Sequence, residues 1–451
     1  MSKIKFLSVL LVAVSIGVAG CGLKKAEDEG DDPSFFVPQS PLLSALERKV
    51  GLIAYVGSDG NVYTVDQSGK DPTPITDDAK LKEGDFRYYE SPTWSPDGKS
   101  LAFYSVAGDG QTRLDTAVYT ADAEGKNIVE AYVSDRYVPI YLMWSPDSAN
   151  VTFIANILGG ENLVLNMVPA AGGETQVLDV GAPFYWDWLP DSSGVIVHSG
   201  GEGAETTEHR LALLTLNDGV VEDTFAIKPA LFQSPALSPD GSRLLLSVEG
   251  EEGKRTLVMT DRLGNVESEI ATLDGSVAFA WSPDGKRVAY VAGDPGEPLT
   301  IGKLKVVELG EEPKTVEADQ DQVLAFFWSP DGKQIAYFNV ARFTPEPDPE
   351  APETEAPADV QFYLKLYVAD ASSGKGKRLF SLLPPDDFWR MLQYFDQYSR
   401  SATIWSPDSQ NLVVPTYLDA QNPPALLVVP ASGVTTPRLL QPGLVAFWSA
   451  K

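Results

Sequence analysis

A short motif built on Trp-Ser-Pro-Asp-Gly recurs along the chain and constrains its fold more than any other feature. Its copies begin at Trp94, Trp144, Trp188, Leu237, Trp281, Trp328, Trp405 and, in truncated form, Trp448. Successive copies are 50, 44, 49, 44, 47, 77 and 43 residues apart. A period of about 40–50 residues is typical of the blades of a β-propeller. We therefore expect a chain of repeated modules.

Each copy of the motif predicts a hairpin turn followed by three more β-rich runs. Pro presets the backbone dihedral of the turn, Asp can bond the nearby backbone, and Gly accepts a positive φ. The run after the turn is exemplified by Ser100–Ser105, and the next two by Leu366–Asp370 and Lys377–Phe380. We label the four strands A to D in chain order, so that each unit predicts one four-stranded antiparallel blade.

The two ends of the chain predict complementary parts of one blade. Val445–Ala450 supplies a strand A with nothing after it, and Gly51–Val56 supplies a strand B with nothing before it. Counting this shared blade, the sequence predicts an all-β, eight-bladed propeller. It would be closed by a C-terminal strand A with N-terminal strands B to D, which avoids unpaired sheet edges.

These repeats resemble those of the TolB-like propellers, in which the Trp-Ser-Pro-Asp-Gly signature recurs once per blade. The resemblance covers about residues 50–451 and implies a propeller with protein contacts in the cell envelope. TolB-like proteins usually carry an additional N-terminal α/β domain, whereas this chain has only a short charged segment there, so a role in the Tol system is not implied. The departures from the signature, which we interpret as drift affecting local turn geometry, are Leu237 for Trp, Leu189 for Ser, and Ser148, Ser192 and Ser409 for Gly.

The N-terminus has the pattern of an export signal. An apolar run at residues 6–18 follows two lysines and is too short to span a bilayer. The run ends in Val-Ala-Gly-Cys, which resembles the lipobox of bacterial lipoproteins, and it places the only cysteine, Cys21, at the acylation position. We predict a signal peptide at 1–20, a lipidated Cys21 with a flexible acidic tether over 21–47, and the propeller over 48–451.

The charge of the chain limits its partners. With 35 Lys+Arg against 63 Asp+Glu, the formal net charge is -28, whereas a protein that binds nucleic acid needs a basic face. We expect no nucleic acid, no cofactor, and membrane contact through the lipid anchor only. We also expect a monomer, exported and anchored to the bacterial cell membrane or outer membrane, in the periplasm or at the cell surface.

Sequence signatures of catalysis and metal binding are scarce. The sequence has no Gly-x-Ser-x-Gly elbow, no His-Glu-x-x-His, no Walker loop and no dinucleotide fingerprint. The repeated motif aspartates are explained by their turns, and the motif tryptophans by packing between blades. His198 and His209 are the only histidines, so a His-based zinc site is not expected. We therefore predict no catalytic residues, no metal site and no enzyme activity.

Two insertions, at 342–359 and 383–400, lengthen the unit that begins at Trp328. The first is rich in Pro and acidic residues and should be extended. The second has two aspartates ahead of apolar residues at helical spacing, which predicts a short amphipathic helix. Because B–C and D–A connections emerge on one face of a propeller, both insertions should rise from that face. Whether the helix covers its own blade or contacts a partner stays open.

Aromatic and cationic residues concentrate in the D–A segments and in the second insertion, and they predict a ligand site at the mouth of the central channel. The candidates are Arg87, Tyr88, Tyr89, Arg136, Tyr137, Trp186, Trp389, Tyr394 and Tyr398. Tyr and Trp offer stacking area, and Arg can hold an anionic group. This pattern suits a peptide, a protein or a glycan and does not select among them.

The sequence therefore favours a lipid-anchored envelope propeller that serves as a non-catalytic platform for a protein or ligand. Two alternatives remain. One is a propeller enzyme, such as a lactonase or a glycan-active hydrolase or lyase, that uses carboxylates at the channel mouth. The other is a carbohydrate-binding protein that uses its aromatic rim.

Overall fold

The computed structural model describes most of the predicted propeller. The described residues are 50–82, 84–157, 162–200, 210–217, 219–230, 233–250, 254–343, 361–419 and 421–451. The predicted signal peptide, Cys21, the tether, His209 and most of the first insertion lie outside them. No helix in these ranges is long and apolar enough to cross a membrane.

The described chain is almost entirely β-structure. It begins with β1 (Ile53–Gly57), β2 (Val62–Val65) and β3 (Thr73–Pro74). The next twenty-four strands form six four-stranded antiparallel sheets, each from four consecutive strands. The first three of these sheets contain β4 (Phe86–Trp94), β5 (Ser100–Gly108), β6 (Leu114–Asp122) and β7 (Val129–Ser134); β8 (Tyr137–Trp144), β9 (Asn150–Ile157), β10 (Leu163–Pro169) and β11 (Gln176–Gly181); and β12 (Phe184–Trp188), β13 (Gly194–Ser199), β14 (Arg210–Leu216) and β15 (Val220–Thr224).

The other three four-stranded sheets follow directly in the chain. They contain β16 (Ala236–Leu237), β17 (Arg243–Glu249), β18 (Arg255–Asp261) and β19 (Val266–Leu273); β20 (Val277–Trp281), β21 (Arg287–Ala292), β22 (Leu304–Glu308) and β23 (Lys314–Glu317); and β24 (Val323–Trp328), β25 (Gln334–Phe343), β26 (Gln361–Asp370) and β27 (Gly376–Leu382). Two helices come next, α1 (Asp386–Gln393) and α2 (Phe395–Tyr398). The last strands are β28 (Asn411–Thr416), β29 (Ala425–Pro430) and β30 (Arg438–Trp448).

The two ends of the chain meet in one sheet, as the sequence predicts. β30 pairs with β1, with Trp448 opposite Ile53 and Val445 opposite Val56. Beyond the paired strands, the N–H of Ser449 donates to the Leu52 carbonyl at 2.8 Å. The pairing of the termini is confirmed.

The predicted count of eight four-stranded blades is wrong, because the described strands form seven sheets. The seventh is six-stranded, in the order β28-β29-β30-β1-β2-β3. β30 causes the difference, since its first half pairs with β29 and its second half with β1 without a connecting loop. In addition, the strand expected at Trp405 is reduced to an isolated bridge with Leu412. The structure is thus an all-β propeller of seven blades.

The first strand of each blade lies nearest the axis. β4 contacts β8, β12 contacts β16, and β16 contacts β20. The fourth strands, by contrast, carry exposed apolar residues such as Val133, Val221 and Val266. The residues just before each motif therefore line the centre, and the D strands form the rim.

The motif tryptophans are hydrogen-bonded from one unit to the next. Their indole N–H groups donate to the carbonyl that directly precedes the motif of the previous unit, in the pairs Trp94 to Phe447 (3.2 Å), Trp144 to Thr93 (3.0 Å), Trp281 to Ala236 (2.9 Å) and Trp405 to Phe327 (3.0 Å). Trp188 makes the same connection through the Thr152 hydroxyl, which in turn donates to the Met143 carbonyl at 3.0 Å. Among the described residues, the indole N–H groups of Trp328 and Trp448 have no hydrogen-bond partner. The motif thus supplies a directional bond between blades in addition to apolar bulk.

The motif turn is closed by its own side chains. In six copies the Ser hydroxyl donates to the Asp carboxylate, as in Ser238 to Asp240 at 2.6 Å. The bond from Ser238, together with bonds from the backbone N–H and the hydroxyl of Ser242, lowers the pKa of Asp240 to about 2. The repeated aspartates are therefore engaged in their own turns.

The three serines at the motif glycine position each form a hydrogen bond to the preceding unit. Ser148, Ser192 and Ser409 have φ of 62°, 60° and 60°, in the left-handed region. Each hydroxyl accepts the backbone N–H of the motif aspartate in the preceding unit, from Asp97 (3.3 Å), Asp147 (3.0 Å) and Asp331 (3.1 Å) respectively. The left-handed backbone costs a non-glycine residue about 1–2 kcal/mol, and this interblade bond offsets part of that cost.

The indole bond can be tested by comparing Trp144→Phe with Trp448→Phe. Both rings are buried, but only the Trp144 N–H has a partner, the Thr93 carbonyl. Losing that donor removes one buried hydrogen bond, worth about 0.5–1.5 kcal/mol, whereas Trp448→Phe removes a buried N–H that has no partner among the described residues. We expect Trp144→Phe to lower the free energy of unfolding by about 1–2 kcal/mol more than Trp448→Phe in urea titrations. Equal losses would show that the rings act only through packing.

Candidate functional site

The second insertion lies on the propeller axis. α1 packs against β24 and β30, and α2 packs against β20 and β24. Side-chain or backbone bonds join α2 to Tyr141 of β8, to Trp186 of β12 and to Ser234 beside β16. The charges of α1 also act on Glu90 of β4. These contacts involve the first strands of six sheets and β30 of the seventh, and only the centre is near all of them. Residues 383–400 therefore cover the channel mouth, and we call them the axial plug.

Gln397 binds the inner edge of one blade in the way a neighbouring strand would. Its side-chain amide donates to the Trp186 carbonyl at 3.0 Å and accepts the Trp186 N–H at 3.2 Å. Its backbone carbonyl accepts the Tyr141 hydroxyl at 2.9 Å, and its side-chain oxygen accepts the Ser234 hydroxyl at 3.0 Å. The innermost strand of a sheet has no neighbouring strand on its channel side, so the peptide groups on that edge lack partners. Gln397 supplies partners for two of these groups.

A mostly buried ion pair fixes the end of the axial plug. Arg400 Nη1 lies 2.5 Å from Asp187 Oδ2, with only 12% and 16% of the two side chains exposed. Arg400 also donates to the carbonyls of Asp396, at 3.0 Å, and Pro235. Burial raises the pKa values of Asp187 and Asp396, and the Arg400 charge opposes this rise. The two acids therefore depend on one arginine.

Apolar contacts hold the other side of the axial plug. The Phe395 ring packs 4.7 Å from the Phe326 ring, and the Phe388 ring packs 5.6 Å from the Phe338 ring. Phe388, Leu392 and Phe395, the apolar residues with helical spacing in the sequence, are fully or almost fully buried. The helix predicted from that spacing is present, and its apolar side faces the blades.

A second group of charges lies beside α1, nearer the surface. Glu90 accepts the Tyr104 hydroxyl at 2.6 Å, and Arg390 pairs with Asp387. Burial is the main cause that raises the pKa values of Glu90 and Asp387, and for Glu90 the neighbouring Asp387 adds to it. Burial likewise raises the pKa of Tyr88 to about 12. Each carboxylate in this group already has a protein partner.

Three of the aromatic residues predicted to contact a ligand are engaged inside the protein. Trp186 is fully buried and donates its indole N–H to Thr152 at 3.0 Å. The Tyr89 hydroxyl donates to Asp78 at 2.6 Å. Its ring is buried between the part of the six-stranded sheet formed by β1–β3, which we call the first blade, and the sheet β4–β7, which we call the second blade. The Tyr398 ring packs edge-on against Tyr141, with ring centres 4.7 Å apart. Trp186 and Tyr89 are buried and Tyr398 is half-buried, and the three rings stabilise the axis and a blade interface.

The remaining candidates are more accessible. Arg87 and Tyr88 are half-buried in β4, Arg136 is exposed between β7 and β8, and Tyr137 is half-buried at the start of β8. Trp389 is half-buried on α1, whereas Tyr394, between the two helices, is 48% exposed. The structure thus separates the predicted set into buried aromatic residues and a group on the insertion face.

Two exposed residues near the axial plug were not among the candidates. Tyr417 and Leu418 are 39% and 46% exposed. They follow β28, where the Tyr417 N–H donates to the Leu383 carbonyl at 2.8 Å and so places this segment beside the start of the plug. We call Trp389, Tyr394, Tyr417 and Leu418 the aromatic face.

A cleft of about 440 Å³ opens on the same side of the propeller, along the second blade. We refer to it as the blade cleft. It lies where β5 ends, β6 begins and β7 runs into β8. Its lining comprises Arg87, Ser105, Ala107, Asp115, Thr116, Ala117, Tyr119, Glu130, Val133, Ser134 and Asp135. In the described part of the chain, no group of three or more potential ligands could hold a metal ion.

The polar contacts that anchor the axial plug were missed by sequence reasoning. Asp187, Gln397 and Arg400 are distant in the chain, and no local pattern relates them. Asp187 alone carries a signal, since it is a charged residue between Trp186 and Trp188 in an otherwise apolar strand. A buried acid of this kind requires a cationic or hydrogen-bonding partner, although the sequence does not say which residue provides it.

Comparison with known proteins identifies no family for this chain. No family model and no curated protein matches the sequence. Among solved structures, TolB from Acinetobacter baumannii is 16% identical over 75% of this chain and 80% of that chain, with a TM-score of 0.37. A eukaryotic initiation factor is 13% identical over 89% and 98%, with a TM-score of 0.49. An oligogalacturonate lyase in complex with manganese is 16% identical over 86% and 99%, with a TM-score of 0.47.

Arg400→Gln tests the anchoring of the axial plug. It leaves Asp187 and Asp396 buried without a cation, which typically costs about 3–5 kcal/mol. The folded-state pKa values of both acids are raised, so their contribution to stability is lost as the pH rises through those values and recovered as it falls. We expect a large loss of unfolding free energy at pH 7 and a smaller loss at pH 5 in urea titrations.

Arg390→Gln is the matched control, because this arginine lies in the same segment and is half exposed. We expect its effect to be below about 1 kcal/mol. Amide hydrogen exchange over residues 386–400 should accelerate in Arg400→Gln only. A loss in Arg400→Gln that is no larger than in Arg390→Gln would contradict this account of the ion pair.

Proposed function

We propose that this protein is a lipid-anchored propeller of the bacterial cell envelope, with TolB-like repeats, that binds a protein partner or another ligand without catalysis. The signal peptide at 1–20 would export the chain, and acylated Cys21 would attach it to the membrane. The observation that carries the proposal is the axial plug. The chain fills its own channel mouth, while aromatic side chains on the same face stay exposed around it.

The aromatic face has the composition of a protein-binding surface. Tyr and Trp are enriched at the centres of interfaces because they bury a large area with little conformational freedom to lose. Trp389 also packs against the core of the last blades, so it is held in place before a partner arrives. A side chain that is already ordered loses less entropy on binding.

The point where the chain enters the propeller leaves this face free. The Leu52 N–H donates to the Ser449 hydroxyl at 3.0 Å, next to the motif turns. Motif turns are A–B connections, whereas the axial plug is a D–A connection, and these two kinds of connection lie on opposite faces. The predicted tether over 21–47 would therefore reach the propeller at the face remote from the aromatic face.

The charges at the axis favour binding over acid–base chemistry. A general acid or base needs a carboxyl group within hydrogen-bond reach of its substrate. Here Asp187 pairs with Arg400, Asp387 pairs with Arg390, and Glu90 accepts the Tyr104 hydroxyl. These contacts account for the raised-pKa acids as structural groups.

Site-specific photocrosslinking can test the aromatic face. We expect a photoreactive amino acid at Tyr394 to form a discrete adduct in cells of the source bacterium. Trp389→Ala in the same protein should weaken the adduct about 5- to 30-fold, because truncating a central interface aromatic typically costs 1–2 kcal/mol or more. The adduct would be measured by immunoblot of the tagged protein.

Leu263 provides the matched control position. It is exposed in the turn between β18 and β19, a C–D turn on the motif-turn face. We expect no adduct from a photoreactive residue at Leu263. Equal adducts from both positions, or none from Tyr394, would count against a platform on the aromatic face.

Cys21→Ser tests the anchor separately. The variant has no thiol to acylate, so we expect it to lose incorporation of labelled palmitate and to move from the membrane to the soluble fraction. Several acyl chains bind a bilayer stably, whereas a soluble propeller has no such attachment. Unchanged membrane fractionation of Cys21→Ser would refute lipid anchoring through this residue.

A further inference from the structure

The blade cleft exists because two neighbouring blades have strands of unequal length. β5 and β6 each have nine residues, whereas β1 has five and β2 has four. At about 3.3 Å per residue, the longer strands project some 13–17 Å beyond the shorter ones. The side of the second blade that faces the first is therefore uncovered near the insertion face.

The floor of the blade cleft continues the interface between these blades. Leu101 and Phe103 of β5, with Ala121 of β6, pack in one cluster with the first blade. Side chains on one face alternate along a strand, so Ser105 and Ala107 lie on the same side farther along β5. Small residues at these positions leave the space of about 440 Å³ open, which is within the usual range for ligand sites.

The walls of the blade cleft are mainly acidic. Asp115, Glu130 and Asp135 line it together with one cation, Arg87. Arg87 is already paired with Asp78 at 3.2 Å, and Asp115 is paired with Arg113 at 3.2 Å.

Two of these carboxylates have no cationic partner among the residues that the structure describes. Glu130 accepts only a long bond from the Tyr119 hydroxyl at 3.3 Å. Across the described ranges, no Lys, Arg or His nitrogen forms an ion pair with Glu130 or Asp135. The cleft thus has an excess of negative charge above an apolar floor.

We propose that the blade cleft binds a basic side chain of a protein partner, either an ammonium or a guanidinium group on its aliphatic stem. The stem would lie along Ala107, Ala117 and Val133, because long basic side chains bury their methylene groups on apolar surface. The charged head would reach Glu130 and Asp135, where hydrogen bonds between ionised groups are strong. The proposal rests on the proposed function only in that both sites open on one face.

Calorimetry with the complete mature protein tests this site. The probe is an acetylated and amidated eight-residue peptide with two lysines and no other charge. We expect binding at low ionic strength that weakens with salt. The double variant Glu130→Gln with Asp135→Asn should weaken it about tenfold or more, since tenfold corresponds to about 1.4 kcal/mol. Val133→Lys, at an exposed rim position, should weaken it similarly by placing a cation in the cleft.

Glu269→Gln with Asp274→Asn is the matched control. Glu269 lies within β19 and Asp274 directly follows it, just as Glu130 lies within β7 and Asp135 follows it. This variant removes the same charge outside the cleft, and we expect less than a twofold effect. An equal loss of affinity in both double variants would show that the peptide is held by general charge attraction, and it would overturn the proposal. Failure of the peptide to bind the wild-type protein would also overturn it.

Spermidine distinguishes a protein side chain from a free polyamine. We expect spermidine to bind more weakly than the peptide, because it cannot place one stem on the floor without leaving its other charges unpaired. Tighter binding of spermidine, with displacement of the peptide, would overturn the assignment to a protein partner. If the adduct from Tyr394 persists while the peptide fails to bind, only the blade cleft assignment fails and the platform stands.

Discussion

The hydrogen bond from a motif indole to the preceding unit is the interaction on which the rest of the structure depends. It joins a side chain at the end of one A strand to the backbone carbonyl one residue before the previous copy of the motif, as in Trp144 to Thr93. Apolar packing alone would let neighbouring sheets slide past each other, whereas a directional bond fixes their relative position along the propeller axis. Where the indole cannot reach, Thr152 relays the bond from Trp188 to Met143. The geometry is therefore kept even where the local sequence varies.

The arrangement of the sheets leaves peptide groups without partners at the centre, and the axial plug supplies partners for some of them. Stacking the sheets around an axis turns the inner edge of every A strand toward the channel, with peptide groups that need partners. Water can supply them in an open channel, but here Gln397 and the Arg400–Asp187 pair do so instead. Burying such a pair brings little net stability, although removing one member is costly. The axial plug is therefore an integral part of the folded structure.

The sequence predicted what repeats and local chemistry determine, and it failed where distant contacts decide. The propeller, the pairing of Trp448 with Ile53 and the helix at Asp386 all follow from spacing, turn residues and apolar periodicity. The blade count failed because nothing in the sequence of β30 marks that one strand serves two units. Trp186 looked available for a ligand because aromatic enrichment suggests binding, yet A strands are covered by blades on both sides and by the plug on their inner edge.

Strand length is the variable that distinguishes one blade from another in this fold. The motif fixes where each A strand ends and where each B strand begins, but it does not limit how far strands B and C extend toward the opposite face. Extra residues in β5 and β6 therefore change nothing at the motif turns and expose one side of the second blade at the other end. The repeated interblade bonds therefore lie at the motif-turn face, and the differences between blades lie at the opposite face. The motif-turn face carries the bonds that recur from unit to unit, whereas the insertion face carries the axial plug and the blade cleft, which do not recur.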